Sequence, residues 1–105
     1  MMSTDDVTGP AVRLFPEYSM EWPLWSRNIP GLDYPISPVD IGISDALTAR
    51  IKKWNDNWEK NFHWEHGWKK GFDTQQWANE GEAIAKLLEE ELPNITVLPE
   101  YEWCL

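Results

Sequence analysis

A mostly helical α+β fold is the architecture this sequence predicts: an antiparallel two-helix hairpin, an ordered Pro/Trp-rich wrap, and one or two short terminal strands. Three observations predict it. Two segments place apolar residues at the same helical steps of four, three, four and four. Between residues 16 and 43, prolines at 16, 23, 30, 35 and 38 forbid a long helix. Two short apolar runs near the ends of the chain each stop at a proline.

Residues 1–10 are small and polar and read as a loose leader. Val12-Arg-Leu-Phe15 predicts a strand ended by Pro16. In the segment 16–43 the residues Tyr18, Met20, Trp22, Leu24, Trp25, Ile29, Leu32, Tyr34 and Ile36 carry more apolar surface than a flexible linker. An irregular wrap over the helices follows from that.

A helix over 44–62 starts at Ser44, whose hydroxyl can cap the first turn, with Asp45 at the positive helix end. Leu47, Ile51, Trp54, Trp58 and Phe62 fall in an arc roughly 80° wide. His63 to Phe72 contains Gly67 and Gly71 and reads as a turn. A second helix over 73–92 opens at Asp73 with Gln76 in capping-box position, and Pro93 ends it. Its inward positions are Trp77, Gly81, Ile84, Leu88 and Leu92.

Folding the two stripes back on each other sets Phe62 against Trp77, Trp58 against Gly81, Trp54 against Ile84 and Ile51 against Leu88. In that register Gly81 is a packing notch under an indole, which accounts for a glycine in mid-helix. A last strand is predicted over 95–98. The segments Leu14-Phe-Pro-Glu-Tyr18 and Val97-Leu-Pro-Glu-Tyr101 share Pro-Glu-Tyr in phase. They either coincide by chance or pair as a ribbon whose direction the sequence leaves open.

The chain has 105 residues, which suits a single domain over 1–105. Its net charge of −9 opposes a nucleic-acid binder, which needs clustered Lys and Arg. No apolar run is long enough to span a bilayer, and the start lacks the basic and apolar regions of a secretory signal. With one cysteine, Cys104, no internal disulfide forms, which agrees with a cytoplasmic location. The charge is uneven: −4 over 1–43, +2 over 44–72 and −7 over 73–105. Glu89, Glu90 and Glu91 are read either as part of a solvated acidic face or as a surface that steers a basic partner.

Chemical motifs are sparse. His63, Glu65 and His66 are the candidate metal ligands, but no third histidine supports them, and no metal or other cofactor is expected. Cys104 follows two acids, Glu100 and Glu102, that would raise its pKa and has no base nearby, so no catalytic residue is assigned. There is no phosphate loop and no nucleophile elbow.

The eight tryptophans are the strongest signal. Trp54, Trp58 and Trp77 lie on the inward stripes. Trp22, Trp25, Trp64, Trp68 and Trp103 lie outside them and are candidates for partner contact, because indoles supply large, stiff interface area. Trp64 and Trp68, in a turn with two histidines and two lysines, are the leading pair for an exposed patch.

Arg13-Leu-Phe-Pro-Glu-Tyr18, Trp22-Pro-Leu-Trp25, Ile43-Ser44 opening a helix, and Trp77 with Glu80-Gly81 and Glu91-Leu92 together form a pattern. It resembles a group of small uncharacterised actinobacterial proteins over roughly residues 12–92. Pro30 to Pro38 and the tail after Pro93 depart from it. The resemblance implies a bacterial cytosolic setting and contributes no chemistry. The leading functional expectation is a non-enzymatic acidic protein-binding module, an immunity-like or regulatory partner of a basic protein. Two alternatives stand beside it: a small enzyme or metal protein centred on His63, Glu65 and His66, and a homodimer joined through exposed tryptophans.

Overall fold

The computed structural model describes residues 9–32 and 35–105. Most of the expected leader, and Tyr34 of the wrap, lie outside the described residues. In chain order the elements are β1 (Ala11–Leu14), β2 (Leu24–Arg27), α1 (Pro38–Ile41), α2 (Asp45–Asn61), β3 (Phe62–His63), β4 (Gly67–Trp68), α3 (Thr74–Glu91) and β5 (Thr96–Pro99). A 3-10 turn at Glu102–Cys104 closes the chain. The protein is a small α+β fold.

Both long helices start where their caps predict. The Ser44 hydroxyl accepts from the Leu47 amide at 3.2 Å, and Asp73 Oδ1 accepts from the Gln76 amide at 2.9 Å. Each cap satisfies a first-turn donor that the helix itself leaves unpaired. The inward stripes are buried as read: Leu47, Ile51, Trp54 and Trp58 on α2, and Trp77, Gly81, Ile84 and Leu88 on α3.

The packing register differs from the expected one. Trp54, not Phe62, stacks on Trp77, with ring centroids 4.4 Å apart and planes 7° from parallel. Each indole N–H donates to the other residue's carbonyl, Trp54 to Trp77 at 2.8 Å and Trp77 to Trp54 at 3.0 Å. These reciprocal bonds fix the pairing, because a shift of one turn would bury two indole donors unpaired. Gly81 is the expected notch, but Trp54 and Tyr101 fill it, and Trp58 does not. A Cβ there would lie 2.9 Å from Trp54 Cζ2 and 2.8 Å from Tyr101 Cζ.

The architecture also departs from a hairpin with strands only at the termini. The wrap contains β2, which pairs antiparallel with β1, Leu14 opposite Leu24. Prolines 23 and 30 flank this strand without interrupting it, so they delimit it and leave its amides free to pair. The wrap also holds the one-turn α1, with Pro38 at its start and the Ser37 amide donating to Asp40 Oδ2 at 3.0 Å. Gly42 ends it in the left-handed region, at φ 71°. The segment linking the long helices holds the small antiparallel ladder β3–β4.

The terminal strands do pair, and they are parallel. The sheet order is β2-β1-β5, with Val12 opposite Val97 and Leu14 opposite Pro99. The two Pro-Glu-Tyr segments are therefore out of phase by two residues: Pro99 lies beside Leu14, and Pro16 does not face it. The inward side chains Val12, Leu14, Leu24 and Val97 join the helical stripes in one core cluster. Asn55 is the polar member of the buried α2 face. Its Nδ2 donates to the Met20 carbonyl at 3.1 Å and ties the wrap to the helix.

Candidate functional site: an aromatic surface at the end of α2

A seam of aromatic rings runs outward from the core. Trp77 contacts Trp68 at 4.8 Å, Trp68 contacts Phe62 at 5.3 Å, and Phe62 contacts Trp103 at 5.9 Å. Trp58, fully buried, supports the outer rings, with Tyr18 at 4.6 Å and Trp103 at 6.1 Å. The seam ends in solvent at Trp103, 58% exposed, and Tyr18, 37% exposed, while Trp64, 71% exposed, stands on the neighbouring β3–β4 loop against His63. Exposed large rings of this kind are the side chains that partner surfaces use as anchors.

Three local devices hold these rings in place. The Tyr18 hydroxyl donates to the Phe62 carbonyl at 3.0 Å, and Ser19, at φ 64°, turns the chain beside it. Burial raises the Tyr18 pKa, the Trp64 amide lowers it and Glu17 raises it again. Trp64 sits on the three-residue loop between β3 and β4, which Gly67 closes at φ 73°. Trp103 rides on the C-terminal 3-10 turn, which is pinned by the Trp68 indole N–H donating to the Cys104 carbonyl.

Each exposed ring has an exposed carboxylate next to it in the chain: Glu17 beside Tyr18, Glu65 beside Trp64, and Glu102 beside Trp103. A ring face and a carboxylate each attract a guanidinium or ammonium group.

The five non-stripe tryptophans thus separate. Trp64 and Trp103 are available to a partner. Trp68 is not the exposed residue that its turn position suggested; it is half-buried, stacked on Phe72 at 5.2 Å and tilted against Trp77. Trp25 is half-buried, stacked on Phe15 at 4.7 Å, with its indole N–H donating to the Phe15 carbonyl. Trp22 is half-buried, with the Lys52 ammonium 5.9 Å from its ring centre. Tyr18 was not singled out by sequence, since its exposure depends on contacts 44 residues away in the chain.

The acidic run on α3 separates as well. Glu89 and Glu90 are exposed. Glu91 is not free for a partner, because its two oxygens accept from the Ser44 amide at 2.6 Å and the Ser44 hydroxyl at 2.7 Å. It therefore links the end of α3 to the start of α2. His63 at the end of β3, and Glu65 and His66 on the β3–β4 loop, are all exposed.

Beside the Trp54–Trp77 stack lies an open cleft of about 880 Å³ between α2 and α3. Arg50 spans it in a two-point ion pair with Glu80, at 2.6 and 3.0 Å, and the Glu80 carboxylate raises the Arg50 pKa further. Its lining contains no Ser, Thr, Cys or His; the ionisable groups there are Arg50, Lys53, Asp73 and Glu80. Cys104 is buried, and burial pushes its thiol up to about 11 while the Trp58 indole pulls it partly back. A thiol so placed is a poor nucleophile.

Residues 10–99 match the family described as Serratia CdiI immunity protein-like. The chain belongs to that family. The match spans both sheets and both long helices and stops just before the tail that carries Trp103. No curated protein and no solved structure matches the chain. An immunity-type family agrees with a protein-binding module, and no described helix is long and apolar enough to cross a membrane.

Proposed function

We propose that this protein is a cytoplasmic immunity protein that binds a basic toxin and blocks it by covering its working surface. One observation carries the reading: the immunity-protein family spans residues 10–99 of a chain whose exposed rings Tyr18, Trp64 and Trp103 each have a neighbouring carboxylate. Rigid aromatic anchors supply contact energy at the centre of protein interfaces. The surrounding negative charge, −9 overall, speeds encounter with a positively charged partner and disfavours others.

In this reading the chain works by binding and catalyses nothing. Tyr18 and Trp103 pack onto Trp58, and Trp103 also onto Phe62, so these two rings lose little freedom on docking, and less of the binding energy is spent on ordering them. Arginines of the toxin would stack on the rings and pair with Glu17, Glu65 and Glu102. Glu89 and Glu90, on α3, would act mainly at longer range.

The test is co-expression of this chain in a bacterial host with a candidate basic toxin domain. Rescue of growth, together with a 1:1 complex in solution, is the expected result. A complex that forms equally well with the Trp64→Ala/Trp103→Ala variant would remove these rings from the interface. A chain that only self-associates, without rescue, would support the homodimer reading instead.

A further inference from the structure

We propose that the loop between β3 and β4 binds a divalent transition-metal cation of the zinc class through His63, Glu65 and His66. The sequence offered too few ligands for a closed structural site, but the folded loop places these three donors together. One ligand atom from each lies within 4.8 Å of the other two. The two imidazole rings stack with centroids 4.8 Å apart and planes 21° from parallel, and His66 Nε2 is 3.8 Å from Glu65 Oε2.

Ligands at about 2.0–2.1 Å around a tetrahedral zinc stand about 3.4 Å from one another. The donors must therefore draw in by little more than an ångström. Side-chain rotation can supply that movement, since all three side chains are exposed, Glu65 and His66 on the loop and His63 at the end of β3. The backbone under them is set, because His63 pairs with Gly67 in the β3–β4 ladder. The Glu65 amide now donates to His63 Nδ1 at 3.1 Å. A cation at that nitrogen displaces this bond, and a cation at Nε2 requires the other tautomer, so either route limits the affinity.

Two imidazoles and one carboxylate favour zinc, nickel, copper or cobalt over magnesium or calcium, which select all-oxygen sets. Three protein ligands leave at least one position open to water or to a side chain of another molecule. The site is thus exchangeable, unlike a buried structural zinc site. This inference does not depend on the toxin reading.

The full-length, untagged protein is titrated with Zn²⁺ by calorimetry and with Co²⁺ by visible absorption, in a non-coordinating buffer. One equivalent should bind, and His63→Asn or His66→Asn should weaken binding at least ~10-fold, the scale seen even for residues that only support a ligand. Both variants should keep the parent melting temperature, since neither ring is buried. A Cys104→Ser control should bind as the parent does. Trp64, whose ring lies 6.0 Å from that of His63, supplies a second readout: its fluorescence should be quenched by Cu²⁺ in the parent and spared in His63→Asn/His66→Asn. Absence of stoichiometric binding, or binding undiminished in that double variant, overturns the proposal.

Discussion

Gly81 shows how one missing side chain sets the packing of the whole helical layer. Trp54 and Tyr101 occupy the space a Cβ would take, and the atoms in the way belong to packed rings that cannot swing aside. Tyr101 is held there by its hydroxyl, which donates to the Ala78 carbonyl at 3.2 Å. The overpacking in Gly81→Ala should therefore cost about 1–3 kcal/mol. That cost competes with a helix-propensity gain of up to about 1 kcal/mol, so the net change is a lower melting temperature in a thermal scan. A melting temperature equal to or above the parent's would mean that the rings relax. Cys104 gives a second prediction at this scale. Its pKa is raised in the folded state, so the native protein holds the proton more tightly than the unfolded chain. The resulting stability is complete below the ordinary thiol range, near 9, and is lost as pH rises towards 11. Urea midpoints measured across that window should fall less steeply in Cys104→Ser than in the parent.

Among the elements, the two long helices are legible because every local signal agrees. Ser44 and Asp73 cap, the stripes repeat at helical spacing, and Pro93 ends the second helix. Strand β2 was not legible: its four residues sit among prolines and show no distinctive alternation, and its pairing with β1 is a tertiary fact. Asn55 was hidden for the same reason, since a polar residue on an inward face is explained only by the Met20 and Glu21 carbonyls it meets. The register of α2 against α3 also lay outside sequence patterns, because equal stripes fit at several offsets. The indole-to-carbonyl bonds of Trp54 and Trp77 choose among them. The Ser44–Glu91 contact joins the ends of these helices, so Ser44→Ala loses both a cap and a cross-link. A loss of about 0.5–2 kcal/mol is expected for the cap alone. Glu91→Gln should lower stability by less, and the double variant by less than the sum, because the two side chains share one contact. Chemical denaturation of the three variants reads this directly.

For the whole molecule, fold and charge together separate anchoring from steering. The candidate site was half legible: Trp64 and Trp103 were among the residues marked by their surplus over the stripes. Trp68, Trp25 and Glu91 were marked too, but the fold spends them internally on Cys104, Phe15 and Ser44. Spacing cannot show which half-amphipathic rings a core will absorb. The described surface places exposed aromatic rings at the end of α2 and exposed carboxylates along α3, so the two contributions can be removed separately. Glu89→Lys/Glu90→Lys should slow association with the toxin and reduce its dependence on salt, while leaving dissociation close to that of the parent. Trp64→Ala/Trp103→Ala should instead accelerate dissociation, with a loss of at least ~2 kcal/mol in affinity if these rings are central anchors. Surface plasmon resonance at low and high salt distinguishes the two. If the tryptophan variant changed only the association rate, the rings would lie at the rim of the interface, and the anchoring role would pass to another surface.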